Sequence, residues 1–89
     1  MRAAPGKRDD LQAALEDLIE PTSREAGYVN YDLHQGQEDP DSFFFYENWE
    51  SGEHLDAHLA APHLVEFAAR IPALLDEGGL TVNRVRRIA

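Results

Sequence analysis

The 89-residue sequence predicts an α+β fold, an antiparallel sheet with helices on one face. Three observations carry that prediction. Two segments, Tyr28 to His34 and Ser42 to Trp49, read as strands across a polar loop, the signature of a hairpin. Apolar residues recur at spacings of three and four in Leu11–Ile19 and again in Leu55–Leu75, the period of helices that bury one stripe. Finally, Phe43-Phe44-Phe45-Tyr46 is aromatic on both pleat faces, because successive strand side chains point to opposite sides. A sheet with one wet face would alternate apolar with polar. The chain's own helices can roof one face, and a second copy of the chain is the simplest cover for the other.

Each element follows in order. Met1 to Ala4 is a stub, long enough only for the end of a strand, and Pro5-Gly6 is a turn signal. Asp9 and Asp10 suit a helix start. Leu11, Ala14, Leu15, Leu18 and Ile19 then form an apolar stripe. Pro21 disturbs it, so the helix ends near Glu20 or takes a fresh turn through Ser23–Ala26, and Gly27 closes it. In the first full strand, Val29, Tyr31 and Leu33 take one face, and Tyr28, Asn30, Asp32 and His34 the other. Gln35 to Asp41 is a loop. Ser51-Gly52-Glu53 opens a helix carrying Leu55, His58 and Leu59, and Pro62 suits the first turn of the next. Pro72 should kink or break that second helix. Gly78-Gly79 ends it, and Leu80 to Ile88 reads as a last strand, with a bulge where apolar spacing shifts between Val82 and Val85. With a full first strand the order would be βαββαβ, a ferredoxin-like arrangement in one domain spanning residues 1–89.

Composition narrows the function classes. Eight basic against seventeen acidic residues give a net charge of −9, which repels phosphate backbones and anionic lipid surfaces. Neither nucleic acid nor membrane is expected as a partner. No apolar run reaches the roughly 20 residues of a membrane span, and no signal peptide is visible, so a cytoplasmic location is the default expectation. Without cysteine there is neither a disulfide nor a thiolate metal site. Domains this small are marginal alone and often gain stability by oligomerising.

Pro5-Gly6-Lys7 before a helix, Tyr31-Asp32-Leu33-His34, Pro40, Phe43, Phe45-Tyr46-Glu47-x-Trp49, Leu55-x-x-His58-x-x-x-Pro62-His63 and Phe67 occur together. In this the chain resembles the antibiotic-biosynthesis-monooxygenase (ABM) domain family, above all its quinol monooxygenase branch. The segment from Glu47 to Phe67 is the specific part. The resemblance implies a dimeric α/β-barrel, two ferredoxin-like domains whose sheets pack face to face. It also implies oxygenation of quinols or anthrones by O2 with no metal or flavin. Relatives bind haem or isomerise small molecules. The family opens with a full central strand, where only Arg2-Ala3-Ala4 precede the turn here. That truncation removes the strand on which the haem-degrading relatives carry a functional Asn.

Candidate chemistry centres on His58 and His63. Cofactor-free oxygenation of a phenol begins with removal of a proton, and neutral His is the usual base near neutral pH. Both could equally serve as structural bridges around Pro62. Trp49 could wall an aromatic ring and offer its indole N–H to an oxyanion, or be a core or interface aromatic. Asn30, Tyr31 and Tyr46 are candidate donors to a substrate oxygen, and Phe67 a candidate ring contact. Glu47 shares Trp49's pleat face and would need a partner, which Arg84 or Arg86 could supply. His54-x-x-x-His58 has helical metal-ligand spacing, and His63 or Glu47 could join it, yet no His-Glu-x-x-His order is present and no metal is expected. Two functions compete: a cofactor-independent monooxygenase, and a dimeric ligand-binding domain without catalysis, with haem binding a distant third.

Overall fold

The computed structural model describes residues 1–89. Helix α1 spans Arg8–Glu16 and a short α2 spans Ile19–Ser23. Strands β1, Tyr28–Gln35, and β2, Phe43–Trp49, form an antiparallel hairpin. Helices α3, Gly52–Leu59, and α4, Pro62–Leu74, follow. The register pairs Tyr31 with Glu47, Leu33 with Phe45 and Gln35 with Phe43. Phe43 and Tyr31 are buried, with Phe45 and Leu33 partly so, against Leu11, Leu15, Leu18, Phe67 and Leu74 of the helices. Burying a residue of Phe43's size contributes about 1.5–3 kcal/mol, so this one face is the core. The other face stays open: Phe44 is 52% and Tyr46 55% exposed.

Three local features differ from expectation. The first helix stops at Glu16, and the turn through Asp17–Leu18 lets Pro21 fall in the first turn of α2, where its missing N–H costs no ladder bond. Pro72 does not break α4, which runs on to Leu74. It lies in the last turn, where losing one N–H leaves nothing downstream to disrupt. The bulge sits at Val29, between Tyr28 and Asn30, and not in the C-terminal segment. It turns Val29 outward and brings Tyr28 edge-on to Trp49, ring centroids 6.3 Å apart.

The expected last strand is absent. Residues 80–89 carry no ladder, and Val85 and Ile88 are 86% and 95% exposed. The N-terminal stub lies beside the start of β2. The Phe43 N–H donates to Met1 O (2.9 Å) and the Ala3 N–H to Asp41 O (2.8 Å). On its other side the Ala4 N–H donates to Leu74 O (2.9 Å), and the Asp76 N–H to Arg2 O (2.9 Å). The stub therefore bridges β2 to the end of α4. The C-terminal segment is left with an ion pair from Arg84 to Asp56 of α3. That pair sets Arg84 beside α3.

Candidate functional site

Local rules bring four elements to one point. The turn before β1 needs Gly27, which has φ +79°, in the left-handed region. A Cβ there would lie 2.1 Å from His54 Cγ, so the His54 ring rests on the glycine. Ser51 caps α3, its Oγ accepting from the His54 N–H (3.2 Å). His54 is thus a structural piece that clamps the turn onto the start of α3. Two residues before Gly27, Glu25 is carried against the end of α3, where His58 follows Leu55 by three and faces inward. Pro62 starts α4 and puts His63 in its first turn.

His58 is the centre, only 1% exposed. Its Nδ1 lies 2.6 Å from Glu25 Oε2. A carboxylate only accepts, so Nδ1 carries the proton of this bond, and in the neutral ring Nε2 is the acceptor. That Nε2 lies 3.8 Å from Glu47 Oε1, beyond hydrogen-bond reach. Glu47 in turn accepts from Trp49 Nε1–H (2.8 Å). His63 Nε2 meets the same Glu25 oxygen at 3.1 Å and the buried Thr22 Oγ at 3.2 Å. The His58 ring is gripped by Trp49, centroids 4.6 Å apart, and by Tyr31 edge-on at 5.1 Å. Tyr31 itself stacks on Phe45 at 4.0 Å. Burial first, then the charges of Glu47 and Glu25, push the Tyr31 hydroxyl well above the ordinary tyrosine range. It stays protonated and can donate, but it cannot serve as a base near neutral pH.

Beside His58 opens a cavity of about 630 Å³. Tyr31, Glu47, Trp49, His58 and Phe67 line it, and the C-terminal segment from Leu80 to Arg87 forms a wall. The sequence candidates thus divide. His58, Trp49, Tyr31 and Phe67 come together at this cavity. His63 stands behind His58, on Glu25. Tyr46 borders the cavity from the outer sheet face. Asn30 does not join: it donates to Asp32 Oδ2 (2.9 Å) and to the Tyr46 carbonyl (3.2 Å), and accepts from Asn48 (2.8 Å). Glu47's hydrogen-bond partner is Trp49, not an arginine, and Arg84 pairs with Asp56. The loose His54–His58 metal spacing is not realised either. What converges on His58 is Glu25, a residue that sequence reasoning passed over, together with His63.

A profile of the antibiotic biosynthesis monooxygenase family matches residues 1–70. The chain belongs to that family. Among curated proteins it is 31% identical over 75 residues to the uncharacterized protein sll1783 of Synechocystis, covering 84% of this chain and 51% of that one. It thus spans about half of that relative's length. It is 34% identical over 71 residues to Rv0793 of Mycobacterium tuberculosis, covering 80% of this chain and 69% of Rv0793. Among solved structures, PA3566 of Pseudomonas aeruginosa superposes with a TM-score of 0.90 at 32% identity, over 100% of this chain and 88% of that one. Rv0793 superposes with a TM-score of 0.83 at 27% identity, over 99% and 91%. The ABM chain therefore has the α+β, ferredoxin-like fold of these relatives. No helix is long and apolar enough to cross a membrane.

Proposed function

We propose that this ABM chain is a monooxygenase that oxidises a quinol- or anthrone-like aromatic with O2 and needs no bound cofactor. One observation carries the reading: the 2.6 Å bond between His58 Nδ1 and Glu25, on a His that lines a cavity. A carboxylate that fixes the tautomer of a His is the standard way to make Nε2 a base. The cavity's size, about 630 Å³, falls within the range of small-ligand sites.

In this mechanism the ring hydroxyl or the anthrone carbon gives its proton to His58 Nε2. The resulting anion transfers an electron to O2. The radical pair combines to a peroxide, which collapses to a carbonyl and water, so one oxygen enters the product and the other leaves as water. Trp49 and Phe67 wall the ring, Tyr31 offers a hydrogen bond, and Glu47 holds the Trp49 indole in place. The expected assay outcome is O2 uptake with anthrone or a hydroquinone, slowed about 10²–10⁴-fold in His58→Ala. Equal turnover by both proteins would remove His58 from the mechanism.

The working unit in this proposal is a homodimer joined through the open sheet face of Val29, Phe44 and Tyr46. A second reading, ligand binding without catalysis, draws on the near-complete burial of His58. It requires Trp49 fluorescence to respond to the aromatic ligand while no O2 is consumed.

A further inference from the structure

We infer that Glu25, His58 and His63 form a binding site for a divalent transition cation of the Zn2+ type, behind the His58 ring. The metal-like spacing in the sequence ran from His54 to His58, with His63 or Glu47 as further members, and did not include Glu25. The fold assembles a different set. Glu25 comes from the turn after α2, His58 from the last turn of α3 and His63 from the first turn of α4. One donor atom from each lies within 4.8 Å of the others.

Two observations support a ligand set over a plain hydrogen-bond cluster. Both imidazoles aim at the same oxygen, Glu25 Oε2, at 2.6 and 3.1 Å. Metal–donor bonds near 2.0–2.2 Å in tetrahedral geometry set donors roughly 3.4 Å apart, so admitting an ion needs the two pairs that share Glu25 Oε2 to open by under about 1 Å, with the two imidazole nitrogens already within 4.8 Å of each other. The second observation lies in the surrounding shell. The other nitrogen of His58 faces Glu47 at 3.8 Å, and Glu47 is itself anchored by the Trp49 N–H at 2.8 Å. A ligating His backed by an oriented carboxylate is the usual support of such centres, and the short opening of the donor set would have to carry His58 Nε2 the remaining distance onto Glu47. Two imidazoles and one carboxylate, with no thiolate in the chain, suit Zn2+, Fe2+ or Co2+ over soft or all-oxygen ions. Three protein donors leave a position for water.

The site does not depend on the monooxygenase reading. Neither Glu25 nor His63 lines the cavity, so the ion would sit on the far side of His58 from a substrate. The two ideas meet at one atom. An ion on Nδ1 leaves the ring proton on Nε2, pointing at Glu47, and His58 can no longer accept one. Only this consequence, inhibition of turnover by the cation, rests on the proposed function.

The test uses the full chain and ZnCl2 alone, followed by calorimetry. One ion per chain is expected, with affinity lowered at least about tenfold in His63→Ala and about tenfold in Glu47→Gln, and unchanged in His34→Ala. A long-range imidazole nitrogen spectrum of the unmodified protein gives the same answer without a variant: the His58 and His63 ring signals move with Zn2+, and those of His34 and His54 do not. Absence of binding to the wild type, retention of full affinity in His63→Ala, or shifts confined to His34 and His54 would overturn the site. These readouts involve no substrate, so a failed O2 assay leaves them intact.

Discussion

Replacing Glu25 by Ala removes the acceptor that two imidazoles share. The larger loss falls on His58, whose Nδ1–H makes a 2.6 Å bond in a site only 1% exposed. A buried donor left without a partner costs about 1–3 kcal/mol. His63 is one-fifth exposed and keeps Thr22 at 3.2 Å, so its loss is smaller, under about 1 kcal/mol. Glu25→Ala should therefore destabilise the fold by about 1–4 kcal/mol. Glu25→Gln keeps an acceptor of the same reach and weakens only the charge assistance, for about 1 kcal/mol. Glu53→Ala, on the exposed start of α3, serves as the control and should stay within about 0.5 kcal/mol. Urea unfolding resolves these differences, since a slope of about 1–3 kcal/mol per molar turns the Ala effect into a shift on the order of 1 M. If Ala and Gln prove equally mild, both near the Glu53 control, then Glu25 is not the group that holds His58.

Four further outcomes follow from the packing. Gly27→Ala should cost more than the roughly 1–2 kcal/mol of a left-handed residue, because the new methyl also evicts His54, and His54→Ala should recover part of that cost in a double-mutant cycle by thermal melting. Phe43→Ala should cost about 3–5 kcal/mol by urea unfolding, since the ring is 1% exposed at the centre of the core. With Tyr31 held above its unfolded value near 10, its contribution is complete below about pH 10 and declines as pH rises past that point, because only the unfolded chain releases the proton; Tyr31→Phe should flatten that alkaline loss in a stability-versus-pH series. Charge on the open sheet face, as in the Phe44→Glu and Tyr46→Glu pair, should convert the proposed dimer to monomer in sedimentation without altering the fold, and an unchanged mass would exclude that face as the interface.

The hairpin was legible because Tyr31 and Leu33 of β1 and the Phe43–Trp49 run report their pleat faces directly. The two helical stripes were legible for the same reason at the longer period, and they put His58 beside Leu55 and Leu59, facing inward. Parity alone also places Asn30 and Tyr31 on opposite faces of the sheet. The Val29 bulge moved Tyr28 to the inner face, and no residue preference marks it. Glu25 was hidden for a different reason. It sits in an irregular turn, 33 residues from His58, and its role arises only when the Gly27–His54 contact clamps that turn to α3. The C-terminal stretch had the composition of a strand, but composition does not say which strand, if any, it pairs with.

The tail from Leu80 to Arg87 forms a wall of the cavity, yet its one side-chain tie to a helix is a solvent-exposed ion pair between Arg84 and Asp56. Such a tie is worth at most about 1 kcal/mol and weakens as the Debye length falls below roughly 8 Å. The bore of this chamber should therefore respond to ionic strength, narrow in dilute buffer and roomier in brine. Bulky polycyclic guests would then gain admission with added salt, while small single-ring guests would notice little difference.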